Sequence, residues 1–286
     1  MNTQDWDLAF ASALRLSLKD YRDHIETESD HLLAETPERI GFTLIKKPKG
    51  TAIGNAVGSM FSVHNIIEYI SPEEDLNLDV IYRCIGYAGL YKGFPPEDVT
   101  ISEQELSITI FTDAIPYGFK DMFGDASNLE NIYSGIYYVK NIISIPIQIV
   151  ITSMIEVPDF LPLQLLSKSL KEEALRDFLG QVKDYIEEGF KQEVHTVVSA
   201  AMSLNRQLFV SLKEDKAMSS VFKEIFSEEL EQGIAKGRAL GRVEGRNEGQ
   251  KALIAVIRDL KSGCTEAEIL SKGYDANTLA LGKSIL

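Results

Sequence analysis

The sequence predicts an α/β fold: a mixed β-sheet flanked by helices, with an all-helical C-terminal extension. Three observations predict it. Short β-branched runs recur between residues 40 and 152. A helical stripe separates the second run from the third, the strand–helix–strand order that builds a mixed sheet rather than a sandwich. Beyond Pro162 no β-like run appears, and Leu, Glu and Lys dominate in helical spacing.

In order along the chain, Trp6, Phe10, Leu14 and Leu18 recur every fourth residue and predict an N-terminal helix with one apolar face. Strands are predicted at Ile40–Ile45 and Asn65–Tyr69. After Ser71-Pro72 and an acidic stretch, Leu78, Ile81, Ile85 and Ala88 form the stripe of a crossover helix, with Tyr82, Tyr87 and Tyr91 expected to pack it on the sheet. Residues 135–139, Leu106–Phe111 and Ile145–Thr152 complete a count of about five strands. Helices are then expected over Leu163–Phe190, Glu193–Leu212 and Met218–Glu231.

Glycine follows at every fourth position, at Gly233, Gly237, Gly241, Gly245 and Gly249. Each helical glycine costs about 1 kcal/mol relative to alanine, so this segment is either a helix packed closely on another backbone or a partly helical linker. The interleaved Lys, Arg and Glu rule out a membrane span. Three short helices end the chain, with Thr265 and Asp275 as N-caps. The expected organisation is a core over residues 1–155, a helical region over 156–231, a Gly-repeat helix or linker over 232–250 and a small helical module over 251–286.

The formal net charge of −14 disfavours a protein that coats nucleic acid non-specifically. Basic patches remain at Lys46, Lys47 and Lys49, and at Lys236, Arg238, Arg242 and Arg246, so DNA contact would be confined to them. Cys84 and Cys264 stand far apart in helix-like patterns, which argues against disulfides and metal clips and for a reducing compartment, the cytoplasm. No membrane partner is expected. The four histidines show no metal-protease spacing, and no phosphate loop or nucleophile elbow is present.

Asn65-Ile-Ile-Glu-Tyr-Ile-Ser-Pro72, then Leu76-Asn-Leu-Asp79 and Gly86-Tyr-Ala-Gly-Leu-Tyr-Lys-Gly93, closely resemble a bacterial family. This is the PD-(D/E)XK nuclease family transposase group, related to the Rpn recombination-promoting nucleases and the YhgA-like transposases. The resemblance runs from about Trp6 to Thr152, and the glycine-repeat tail is also similar. It implies a restriction-endonuclease-like core and Mg²⁺-dependent DNA cleavage. An Asp and a Glu on adjacent strands hold the hard cation, and a Lys two residues after the Glu shares its strand face.

Glu68 matches the family glutamate, but the lysine position is Ile70 and the aspartate position, after Arg39-Ile40, is Gly41. Gly54 and Ala56 also replace acids of the family, and Glu38, Asp20 and Asp23 are the acids available to approach in space. One carboxylate is a poor site for Mg²⁺. Glu68 reads either as a residual metal ligand or as a strand glutamate held by Lys46, Lys47 or a tyrosine. The resemblance therefore implies a DNA-associated protein of mobile-element ancestry with lost or weak cleavage, Mg²⁺ entering only if it is active. Two other readings stand beside it: an active Mg²⁺-dependent endonuclease, and a non-enzymatic module that forms homo-oligomers through its C-terminal helices.

Overall fold

A computed structural model describes residues 3–34, 40–95, 100–156, 158–212 and 215–286. The chain divides into two compact units, Met1–Ile225 and Phe226–Leu286.

The first unit is α/β. Its strands are β1 (Glu26–Ala34), β2 (Ile40–Lys46), β3 (His64–Ile70), β4 (Leu106–Thr112), β5 (Leu129–Tyr133), β6 (Ile136–Val139) and β7 (Ile147–Ile151), in the order β1-β2-β3-β4-β7-β6-β5. β1, β2 and β3 form an antiparallel meander; β4 runs parallel to both β3 and β7, which makes the sheet mixed. All seven residues of β4 are buried, as a strand covered on both faces requires. Helices α1 (Thr3–Ser17) and α2 (Leu78–Gly93) lie on opposite faces. Phe10 of α1 stacks on Tyr69 at 4.5 Å, whereas Cys84, Tyr87 and Tyr91 of α2 join a core with Ile66, Ile70, Ile108 and Ile110.

Asn65 fastens the meander to β4. Its side-chain NH₂ donates to the Ile45 carbonyl, and its oxygen accepts from Ser107 Oγ at 2.5 Å. Gly135 turns β5 into β6 at φ +73°, and an added Cβ would lie 2.8 Å from the Ile151 carbonyl oxygen.

Two strands exceed the expected count. β1 begins Glu-Thr-Glu-Ser-Asp-His, without apolar alternation, and β5 has only five residues; both are edge strands, which need no second apolar face. The expected helix over Leu163–Phe190 is two, α3 (Leu161–Gln164) and α4 (Glu172–Glu187). The break is fixed by Asp113, whose carboxylate accepts from the Lys168 N–H at 3.0 Å, and by Asn205, which donates to the Ser167 carbonyl. Helices α5 (Lys191–Leu204), α6 (Arg206–Leu212) and α7 (Lys216–Ile225) follow, and α1 packs on α5 and α3, so the core does not stop at residue 155.

The second unit opens with α8 (Ser227–Lys261), a continuous 35-residue helix, so the boundaries expected at 231 and 250 both fall inside one element. Val256 of α8 meets Ile269 of α9 (Glu266–Ser271) and Leu279 of α10 (Ala276–Ile285) in a small core of its own. Thr265 and Asp275 cap α9 and α10 as expected. Cys264 lies in the turn before α9 rather than in a helix, and both cysteines are free thiols. Among the described residues no helix is long and apolar enough to cross a membrane.

Candidate functional site

The β3 sequence sets the geometry of the candidate site. Strand alternation sends Ile66, Glu68 and Ile70 to the face covered by α2, and Ile67 and Tyr69 to the face covered by α1. Glu68 and Ile70 therefore share a face. Ile70 is 2% exposed within the α2-side core and gives that face neither charge nor hydrogen bond.

Gly41 sits on the neighbouring strand, paired with Leu32 of β1 and two residues short of Thr43, where the β2–β3 ladder begins. Alternation along β2 puts Phe42 and Leu44 on the α2 side and Gly41 in step with Thr43 and Ile45. The three positions matched to the family's Asp, Glu and Lys thus do not all share one face. The β2 residue that does lie on the α2 side is Phe42, its ring stacked on Tyr87 at 5.4 Å.

Glu68 is held, but by neither lysine nor tyrosine. Arg83 of α2 donates from Nη2 to Glu68 Oε1 at 2.6 Å, the short distance of a charge-assisted hydrogen bond. The carboxylate side chain is 13% exposed and the guanidinium side chain 47%. Burial raises the pKa of Glu68 above the ordinary carboxylate value; Arg83 pulls it back, while the negative charges of Asp7 and Glu74 push it further up. For Arg83 burial acts downwards, but the charge and hydrogen bond of Glu68 outweigh it and raise the value. The acids whose charge reaches Glu68 are thus Asp7 and Glu74 rather than Asp20 and Asp23; Glu38 lies outside the described residues.

Gly54 and Ala56 lie in the β2–β3 connection, where the Gly54 N–H donates to the Tyr21 hydroxyl at 3.0 Å. Tyr87 and Tyr91 pack under α2, but Tyr82 is 60% exposed because it lies on the helix's solvent side. His64 meets the Tyr91 hydroxyl through Nδ1 at 3.0 Å.

The basic run that starts at the last residue of β2 is largely committed within the fold. Lys46 pairs with Glu28 of β1, Lys47 donates to the Thr51 carbonyl at 2.6 Å, and Lys49 pairs with Glu105 at 3.1 Å. Burial lowers the Lys47 pKa, and the Ser102 N–H with Lys49 holds Glu105 down at about 2. Lys236, Arg238, Arg242 and Arg246 are exposed along α8.

A hard divalent cation takes oxygen ligands. At β3 the residues present do not fit one: Glu68 is engaged by Arg83, Ile70 and Phe42 are apolar, and Gly41 has no side chain. Among the described residues no three His, Cys, Asp or Glu side chains gather to hold a metal ion. An open groove of about 740 Å³ lies elsewhere, lined by Ser153, Glu156, Lys171, Glu173 and Asp177 among others, and neither Glu68 nor Arg83 reaches it. Sequence reasoning missed Arg83; its only local signal was a basic residue one helical turn after Asp79.

These features define an α/β protein with a seven-stranded mixed sheet and an ion-paired glutamate on its third strand. No protein-family model, no curated protein and no solved structure matches the chain.

Proposed function

We propose that the first unit is a PD-(D/E)XK nuclease-like core, related to the Rpn and YhgA-like transposases, that acts as a DNA-associated protein without efficient metal-dependent cleavage. The observation that carries the reading is the state of β3. A strand glutamate followed two residues later by a same-face position is the frame this chemistry uses, yet here Arg83 takes the carboxylate and Ile70 belongs to the core. The Glu68–Ile70 half of the frame supports the ancestry, the Gly41 position on the other face does not, and the occupants oppose the activity.

A plasmid-nicking assay with Mg²⁺ or Mn²⁺ tests this. Wild-type protein and Glu68→Ala should leave supercoiled DNA equally intact. Ready nicking by the wild type that Glu68→Ala abolishes would instead establish an active Mg²⁺-dependent endonuclease.

A second reading, a non-enzymatic module that oligomerises through its C-terminal helices, is favoured by one observation. A Cβ at Gly237, Gly241, Gly245 or Gly249 would meet nothing within 4 Å, so their spacing serves no packing among the described residues of this chain.

A further inference from the structure

We propose that Arg83 stands in the place of a divalent cation beside Glu68, supplying the positive charge this carboxylate needs and closing it to metal. The inference deepens the reading of β3 given above and rests on it. An ionised carboxylate taken from water into a packed face is strongly disfavoured unless a counter-charge meets it. Glu68 lies in such a face, between Ile66 and Ile70 of its own strand and beneath α2, and Asp7 and Glu74 add negative charge towards it. To stay ionised there, Glu68 needs a cation beside it. A metal would need several further oxygen ligands. Phe42 and Ile70 offer none, and the buried thiol of Cys84 is pushed far up in pKa and stays protonated. A guanidinium needs only acceptors.

The helix delivers that guanidinium at a fixed height. Asn77 caps α2 by accepting from the Val80 N–H, and Val80, Ile81, Cys84 and Tyr87 bury the face that flanks Arg83. Only Nη2 is recorded on the carboxylate, and half of the Arg83 side chain stays in water. The exchange of metal for arginine is thus built from a partly solvated charge, which lowers the desolvation that a fully buried ion pair would suffer.

The test uses full-length wild type, Arg83→Met, Glu68→Gln and the double variant, melted with EDTA and with millimolar Mg²⁺ or Mn²⁺. Arg83→Met should lower Tm by about 4–8 °C, since it strands the less exposed charge. Glu68→Gln should lower it less, and the double variant should melt above Arg83→Met alone. Wild-type Tm should be the same with metal as with EDTA. If Arg83→Met does not fold, Arg83→Lys, which keeps the charge, should fold and melt closer to wild type than Arg83→Gln. A double variant melting no higher than Arg83→Met, or Arg83→Lys no better than Arg83→Gln, overturns the inference while leaving the nicking result to judge the proposed function. Metal stabilisation of the wild type that Glu68→Gln removes overturns both.

Discussion

A histidine next to a lysine is poorly placed to carry charge, and His64 at the start of β3 is in that position. Its pKa is lowered from 6.5, first by burial and then by the positive charge of Lys46, with Glu105 acting the other way. The unfolded chain therefore takes up the proton more readily than the folded one. By linkage, the contribution of this group is retained above the unfolded value and declines as pH falls through it towards the lowered folded value. Melting wild type and His64→Gln across mildly acidic to neutral pH should show a shallower fall of Tm on acidification in the variant; parallel curves would contradict this. At this scale the sequence revealed that Glu68 and Ile70 share a face, because a strand's period of two is local. It did not reveal Arg83 as the partner of Glu68. That contact joins a strand to a helix across a loop, and its geometry depends on how α2 rotates as Cys84 and Tyr87 find the core.

Among the elements, the strands with β-branched alternation were legible and the edges were not. β3, β4 and β7 bury apolar residues on the sheet, and burial writes its pattern into their sequences. β1 is instead held by its pairing with β2, and backbone hydrogen bonds leave no hydrophobic signature. The caps Thr265 and Asp275 were legible because an N-cap oxygen serves N–H groups only two or three residues on. Turns give a sharper test. Gly118 and Gly135 both adopt positive φ, +69° and +73°, but a Cβ at Gly118 meets open space whereas at Gly135 it meets the Ile151 carbonyl oxygen and the Ile155 and Met154 backbone. Gly118→Ala should cost about 1 kcal/mol for its conformation alone. Gly135→Ala should cost clearly more in urea unfolding, because rigid backbone must move; equal costs would show that the β5–β6 turn yields freely.

The whole chain carries a net charge of −14, yet α8 presents Lys236, Arg238, Arg242 and Arg246 in exposed positions. If the oligomerising reading holds, sizing at a series of concentrations should show the full chain larger than its mass of 31.9 kDa and a chain ending at Glu231 at its monomer size. Identical assembly states would remove α8 from the explanation. The division at residue 226 was not legible, because the expected boundaries followed composition whereas the real one follows which core each helix enters. The seven-stranded sheet has a further consequence. Among the described residues its two outer strands have no neighbouring strand on one side of their backbone ladders, an arrangement that invites other chains to add on. β1 carries Glu26 and Glu28, and β5 carries Glu130, ion-paired with Lys140. An incoming strand would have to set its side chains beside those carboxylates, so the charges that hid both strands from a hydrophobic reading are also of the kind that discourages edge-to-edge growth.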